Sequence, residues 1–296
     1  MDSIIEKELS ESSNDNVLFV TEQCNNRCLM CCQPPKCVDD IDALFSLNVS
    51  KIKKSPKNIK TIAITGGEPT LLGNRLLELL ILIREELPNT IVHILTNGRL
   101  FSDAEFTKRV VEAGDGMISF GIPLHSDYER DHNIIAGNSN AFTETIYGLY
   151  NLAMNSAVIE LRIVVNKMNY MRLSQISHYV HKNLSFVTWI SFMGMERIGY
   201  ADSMSDSIWI EPVSYISGLV ESCDYLSMAG YDVRIYNIPL CLLPRTAHHY
   251  SCKSISEWKT FFLPQCQSCS MIEKCCGNFS TSSEPFHGIK PILDLK

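Results

Sequence analysis

Apolar residues in this chain fall into short segments that switch between two periods. Residues 17–21, 59–65, 90–96, 116–122, 157–165 and 186–193 are brief apolar runs, several of them rich in β-branched side chains, and read as strands. Between them, segments 38–52, 75–87, 102–113, 141–155 and 171–183 carry apolar positions three and four apart and read as helices. Segment 75–87 is apolar nearly all round and stops at Pro88, so it is expected to pack beneath its neighbours. Asp39 or Asp40 is placed to cap the first helix, and Ser102 to cap the third. Strand and helix in regular alternation predict an α/β fold built on a parallel sheet.

After Glu196 the rhythm changes. A helix over 212–229 and a short run over 232–238 are followed by chain that is dense in cysteine and poor in periodic segments. The expected plan is a flexible segment over 1–16, a strand–helix domain over 17–205 and a C-terminal module over 206–296. With 296 residues and 45% apolar content, such a chain can bury a full core. The longest uninterrupted apolar stretch, 79–83, is far too short for a membrane span. Residues 1–16 are polar and acidic with no apolar h-region, so no secretory signal is expected. Twelve cysteines in such a chain point to metal ligation in a reducing cytoplasm and not to disulfides. The net charge of −7 argues against a nucleic-acid footprint, and the run Lys51, Lys53, Lys54, Lys57, Lys60 reads as a solvated helix end and loop.

Chemistry in a parallel α/β fold collects where strands end. The first strand is followed by Cys24, Cys28 and Cys31 at C-x3-C-x2-C spacing. Three thiolates on one loop can hold three corners of a cubane iron–sulfur cluster, leaving one iron open to a small molecule. A zinc knuckle completed by Cys32 or Cys37, or plain reduced thiols, are the ordinary alternatives. The second strand ends in Gly66-Gly67-Glu68-Pro69. Two glycines there would let backbone pass close to a ligand, and Glu68 would place a carboxylate at the strand end. Alone, such a sequence is also an ordinary turn. Later strand ends carry Thr96 and Asn97, His125 and Ser126, Asn166, then Met193, Gly194 and Glu196.

The cysteine loop and the Gly-Gly-Glu turn about 40 residues beyond it together resemble the radical S-adenosylmethionine (SAM) superfamily. That resemblance implies a partial (β/α)6 barrel with a [4Fe–4S] cluster on Cys24, Cys28 and Cys31. SAM would chelate the open iron, with Gly66, Gly67 and Glu68 holding its amino group beside Pro69. The residue before the third cysteine is aromatic in most members and packs near the adenine. Here it is Met30, whose thioether can also lie on a purine. Ser126 and Arg162 are candidates for the ribose and carboxylate, against the alternative of ordinary loop and wall residues. Glu196 stands equally between such a contact and a solvated loop carboxylate, and His125 reads as a loop histidine more readily than as a proton donor. The implied activity is reductive cleavage of SAM to a 5′-deoxyadenosyl radical that abstracts hydrogen from substrate, fed by an electron donor such as flavodoxin or ferredoxin.

Cys266, Cys269 and Cys275 form a second group, C-x2-C-x5-C, with Cys241 further upstream. A zinc ribbon is one reading. Beside the first motif, the group is similar to the C-terminal half of a SPASM-type extension. It would then hold one auxiliary [4Fe–4S] cluster on Cys241, Cys266, Cys269 and Cys275, with Cys252 and Cys276 as rival ligands. Cys32, Cys37 and Cys223 are left as plain thiols. The stretches CNNRCLMCCQPP, FGIPLHSD, FMGMERIGYA and SISEWK are similar to the HxsC-type maturases of the His-Xaa-Ser peptide system. This implies a small precursor peptide as substrate and a second radical SAM maturase as partner, with no nucleic acid and no membrane. A metabolite or RNA substrate, or a non-catalytic SAM or redox sensor, are the competing functions.

Overall fold

The computed structural model describes residue 5 and residues 7–293, so part of the segment expected to be flexible lies outside the described residues. Within that segment Leu9 is buried, and the Asn16 side chain ties the chain back to Ser10 and Ser13. Among the described residues of that stretch, one asparagine closes a turn.

Seven strands form one sheet in sequence order: β1 (Val17–Phe19), β2 (Thr61–Thr65), β3 (Ile91–Leu95), β4 (Ile118–Pro123), β5 (Val158–Val164), β6 (Trp189–Met193) and β7 (Asp232–Tyr236). Pairing is parallel from β1 through β4 and again between β6 and β7. The α/β class is as expected, but β7 extends the sheet by one strand beyond six. Its alternating Val233 and Ile235 are buried, and α9 (Ile216–Met228) precedes it as the crossover that parallel pairing requires.

The intervening helices are α1 (Ile41–Lys54), α2 (Asn74–Glu86), α3 (Ala104–Gly114), α4 (Glu129–Ala136), α5 (Ala141–Met154) and α6 (Leu173–Asn183), then the single turns α7 (Tyr200–Ser203) and α8 (Ser205–Ile208). In α2, Leu76, Leu79, Leu80 and Ile83 bury one stripe while Ile81 stays exposed, so the all-round apolar helix packs by one face only. The cap of α3 is Asp103 and not Ser102: its carboxylate accepts from the N–H groups of Glu105 and Phe106. Asp40 stands at the N-terminus of α1 but gives its side chain to another task, described below.

Two compact units are distinguished. One comprises residues 1–27, 34–123 and 138–160, the other 28–33, 124–137 and 161–296. The first contains β1–β4 with α1, α2, α3 and α5. The second contains β6, β7, the remaining helices and the C-terminal region. There, short 3-10 turns surround a two-residue antiparallel pair, β8 (Thr260–Phe261) with β9 (Asn278–Phe279).

Candidate functional site

In the first unit the cysteine loop is fastened at its base. Lys36 N–H donates to Glu22 O at 3.0 Å, and the two side chains form an ion pair at 2.7 Å. The Asp40 carboxylate accepts from the Thr21 hydroxyl and from Glu22 N–H, both at 2.7 Å. The expected capping residue therefore holds the entry to the loop, because an acceptor facing two local donors competes with the helix end.

Gly66 and Gly67 meet this same segment. Gly67 N–H donates to Thr21 O at 2.6 Å and Glu68 N–H to Gln23 O at 2.8 Å. A Cβ on Gly66 would stand 2.5 Å from Thr21 O, and one on Gly67 2.0 Å from Gln23 O. The space a Cβ would take at both glycines is filled by the chain's own backbone at Thr21 and Gln23.

Glu68 is fully buried. Its Oε1 accepts from Thr70 N–H at 3.0 Å and from the Thr70 and Thr96 hydroxyls at 2.6 Å each. Its Oε2 accepts from Asn97 N–H at 2.7 Å. Burial raises the pKa of this carboxyl while those donors oppose the rise. Pro69 opens the short turn that Glu68 caps. Sulfur Sγ of Cys24 accepts from Asn26 N–H at 3.4 Å and lies 3.9 Å from Asn97 Nδ2. A residue missed in the sequence organises this region: buried Arg99 donates to Asn25 O at 2.6 Å, Asn26 Oδ1 at 2.8 Å and Glu144 at 2.6 Å. Asn97 adds a 2.6 Å bond to Asn25 Oδ1. Arg99 follows Asn97-Gly98, and a turn with one arginine carries no spacing signal that could have singled it out.

In the second unit, Cys28 and Cys31 flank a tight turn closed by Cys31 N–H to Cys28 O at 3.0 Å. Leu29 N–H donates to Ile135 O, and Tyr200 N–H to Cys31 O, at 2.9 Å each. Met30 is buried with Ile135, Met195, Ala201 and Ile208, so its flexible thioether fills a core here. Ser126 is fully buried, and its hydroxyl accepts from Tyr128 N–H at 3.1 Å. Arg162 is half-buried on β5, where its carbonyl accepts from Leu124 N–H at 2.9 Å. His125 is buried beside His132, and burial pushes its pKa down to about 4, which keeps the ring neutral at physiological pH. Glu196 accepts from Lys259 Nζ at 3.0 and 3.1 Å and from the Thr281 hydroxyl, so it is paired and not a free loop carboxylate.

The C-terminal cysteines converge on one cavity whose wall includes Cys241, Cys266, Cys269 and Cys275. Cys275 Sγ accepts from the N–H groups of Leu240 and Gly277 at 3.4 Å each, and Cys269 Sγ from Ile292 N–H at 3.3 Å. A hydrogen bond from Cys276 is the main reason the Cys275 thiol is held down to about 6. Cys276 itself is buried with Ile255 and Phe279. Cys252 is absent from the cavity wall, and its thiol lies 3.9 Å from Tyr250 O. All twelve cysteines are free thiols. Among the described residues no three His, Cys, Asp or Glu side chains form a group that could hold a metal ion. Among the same residues no helix is long and apolar enough to cross a membrane.

Residues 18–168, just over half of the chain, match the radical SAM superfamily. No curated protein matches it. Among solved structures, SuiB of Streptococcus suis bound to S-adenosylmethionine is 16% identical with a TM-score of 0.59, over 76% of this chain and 50% of that one. The protein anSMEcpe with bound AdoMet and the Cp18Cys peptide is 18% identical at TM-score 0.56, over 75% and 62%. Coproporphyrinogen III oxidase (HemN) from Escherichia coli, a radical SAM enzyme, is 10% identical at TM-score 0.57, over 77% and 55%. The chain thus spans between half and two thirds of the length of these relatives, which share its fold.

Proposed function

Because the chain belongs to the radical SAM superfamily, we propose that Cys24, Cys28 and Cys31 hold a [4Fe–4S] cluster and that the protein works with SAM on a ribosomally made precursor peptide. A cluster with one iron free of protein, once it has bound SAM, supplies reductive cleavage to a 5′-deoxyadenosyl radical able to abstract hydrogen from an unactivated carbon.

The chain's own residues prepare that chemistry. Asn26 N–H and the Asn97 amide face Cys24 Sγ and would stabilise its thiolate, a lever on cluster potential. Arg99 keeps the asparagines in place. Glu68 Oε2 accepts one hydrogen bond within the protein and so retains a lone pair for the SAM ammonium. Gly66, Gly67 and Pro69 hold the Glu68 turn. Ser126 and Arg162 are assigned to the ribose and carboxylate of SAM, and Met30 to the floor beneath its adenine.

Cys241, Cys266, Cys269 and Cys275 are assigned to an auxiliary [4Fe–4S] cluster. The shared cavity supports this set over Cys252 and Cys276. Thiolates of a cluster bind different irons, and a cavity walled by four cysteines suits such a group. A peptide substrate is supported by the cysteine-rich module, by the peptide bound in anSMEcpe, and by the likeness of the FMGMERIGYA and SISEWK stretches to His-Xaa-Ser maturases.

The observation that carries the reading is three free cysteines at C-x3-C-x2-C spacing on a loop whose entry, Thr21 and Gln23, is hydrogen-bonded to the Gly-Gly-Glu turn. Its test is anaerobic reconstitution with iron and sulfide, then reduction with SAM and a small peptide carrying His-Xaa-Ser repeats. Formation of 5′-deoxyadenosine together with a mass change in the peptide is expected. No 5′-deoxyadenosine from iron-loaded protein would overturn the activity. Turnover of a free metabolite or an RNA, beside an unchanged peptide, would overturn the substrate.

A further inference from the structure

In the first unit, β3 buries Val92 and Ile94 on one face and turns His93 to the other, where its side chain keeps 24% of its exposure. On that face His93 Nδ1 lies 2.8 Å from Ser119 Oγ, and Nε2 lies 3.0 Å from Glu160 Oε2. Ser119 is the register partner of His93 on β4, and Glu160, on β5, is almost fully buried at 2%. Three adjacent strands thus contribute a hydroxyl, an imidazole and a carboxylate in one row, about 7 Å along the strand from the end of β3. Nothing in the assigned cluster and SAM contacts uses them.

The distances select a protonation pattern. Ser119 Oγ is 2.8 Å from the ring nitrogen but 3.5 Å from Val92 O. Its proton therefore belongs on the short contact, and Nδ1 accepts. The carboxylate then holds the proton on Nε2, as an acid that orients an imidazole does in a hydrolase triad. A neutral ring of this tautomer can take a second proton through the serine hydroxyl, and buried Glu160 would stabilise the cation formed.

We propose that Ser119, His93 and Glu160 form the proton-accepting relay of the peptide-modifying reaction, an inference that rests on the function proposed above. Once hydrogen has been abstracted, the substrate holds a carbon radical. A new bond from that carbon to a nitrogen, oxygen or sulfur of the peptide requires loss of one proton from the attacking group and of one electron. The X–H bond breaks and the C–X bond forms. The proton passes through Ser119 to His93 Nδ1, and the electron goes to the oxidised iron–sulfur cluster assigned to Cys241, Cys266, Cys269 and Cys275.

The test compares His93→Gln and Glu160→Gln with wild type, scoring 5′-deoxyadenosine and modified peptide separately. In His93→Gln, 5′-deoxyadenosine is expected within about twofold of wild type while modified peptide falls tenfold or more, at unchanged peptide KM. Glu160→Gln should show the same uncoupling more weakly. Without cluster or substrate, 15N NMR of the intact chain at neutral pH should show His93 as the Nε2–H tautomer, with that preference weakened in Glu160→Gln. Equal loss of both products, a raised KM with normal coupling, or a doubly protonated ring in the resting protein would each overturn the relay. If wild type makes no 5′-deoxyadenosine, the proposed function itself has failed; normal peptide modification by His93→Gln removes the relay alone.

Discussion

The two cysteine groups are built in opposite ways. Cys24, Cys28 and Cys31 sit on one short loop, and hydrogen bonds accepted by Asp40 and donated by Gly67, Glu68 and Arg99 fasten its first half. Cys266 and Cys269 share one 3-10 turn, while Cys241 and Cys275 come from two others, and the four meet where the C-terminal chain folds around one cavity. Local spacing positions the first group, whereas tertiary structure must bring Cys241 and Cys275 to the Cys266–Cys269 turn. Three ligands leave an iron for chemistry, whereas four close a cluster and suit it to electron transfer. On the proposed function, a loop that admits SAM would benefit from rigid edges and half-exposed sulfurs. A closed site benefits from burial, and Cys266 and Cys275 are indeed buried.

The strongest challenge to this contrast is Cys28→Ala. It should abolish 5′-deoxyadenosine formation and remove about half of the bound iron, leaving the C-terminal cluster with its paramagnetic signal intact. Undiminished SAM cleavage would end the assignment.

Next in size is Arg99→Ala. Removing this buried cation strands Glu144 and the Asn25 carbonyl, and should cost about 2–3 kcal/mol in urea unfolding. Iron should be lost from the N-terminal group first. Equal loss from both groups would show that the loop is not held separately.

Glu68→Ala should weaken SAM binding by about 2 kcal/mol, roughly 30-fold, while both clusters remain. An unchanged dissociation constant in a SAM titration would confine Glu68 to bracing the Thr70, Thr96 and Asn97 turn.

The smallest effect separates rival ligands. Cys252→Ala should keep all its iron and shift stability by less than about 1 kcal/mol, whereas Cys275→Ala should lose the auxiliary cluster. The reverse result from iron counting would make Cys252 the ligand.

The same contrast explains what could be read from sequence. Strands and helices with strong periods were legible, as was the cysteine loop, because each is a local pattern. Helix α4 was not, since in ERDHNIIA only His132, Ile135 and Ala136 face inward and the rest, Ile134 apart, is polar. The place of β7 was hidden too: five alternating residues reveal a strand but not its neighbour. Gly66 and Gly67 were recognisable as a point of close approach, yet the approaching group, the Thr21 and Gln23 backbone, is a tertiary fact. Arg99, Glu144 and the His93 row are single polar residues in unrelated segments, and only the folded chain brings them together. Spacing could not rank Cys241 above Cys252 or Cys276 for the same reason.

The main-chain bonds joining Gly67 to Thr21 and Glu68 to Gln23 also bear on how the protein would acquire its cofactor. They involve no sulfur, so the approach to Cys24 takes shape with the sheet itself. A zinc finger draws its folding energy from metal. Here the entry to Cys24 is fixed by main-chain bonds in which no ligand atom takes part, so loss of the sulfur should leave the Gly-Gly-Glu turn in place.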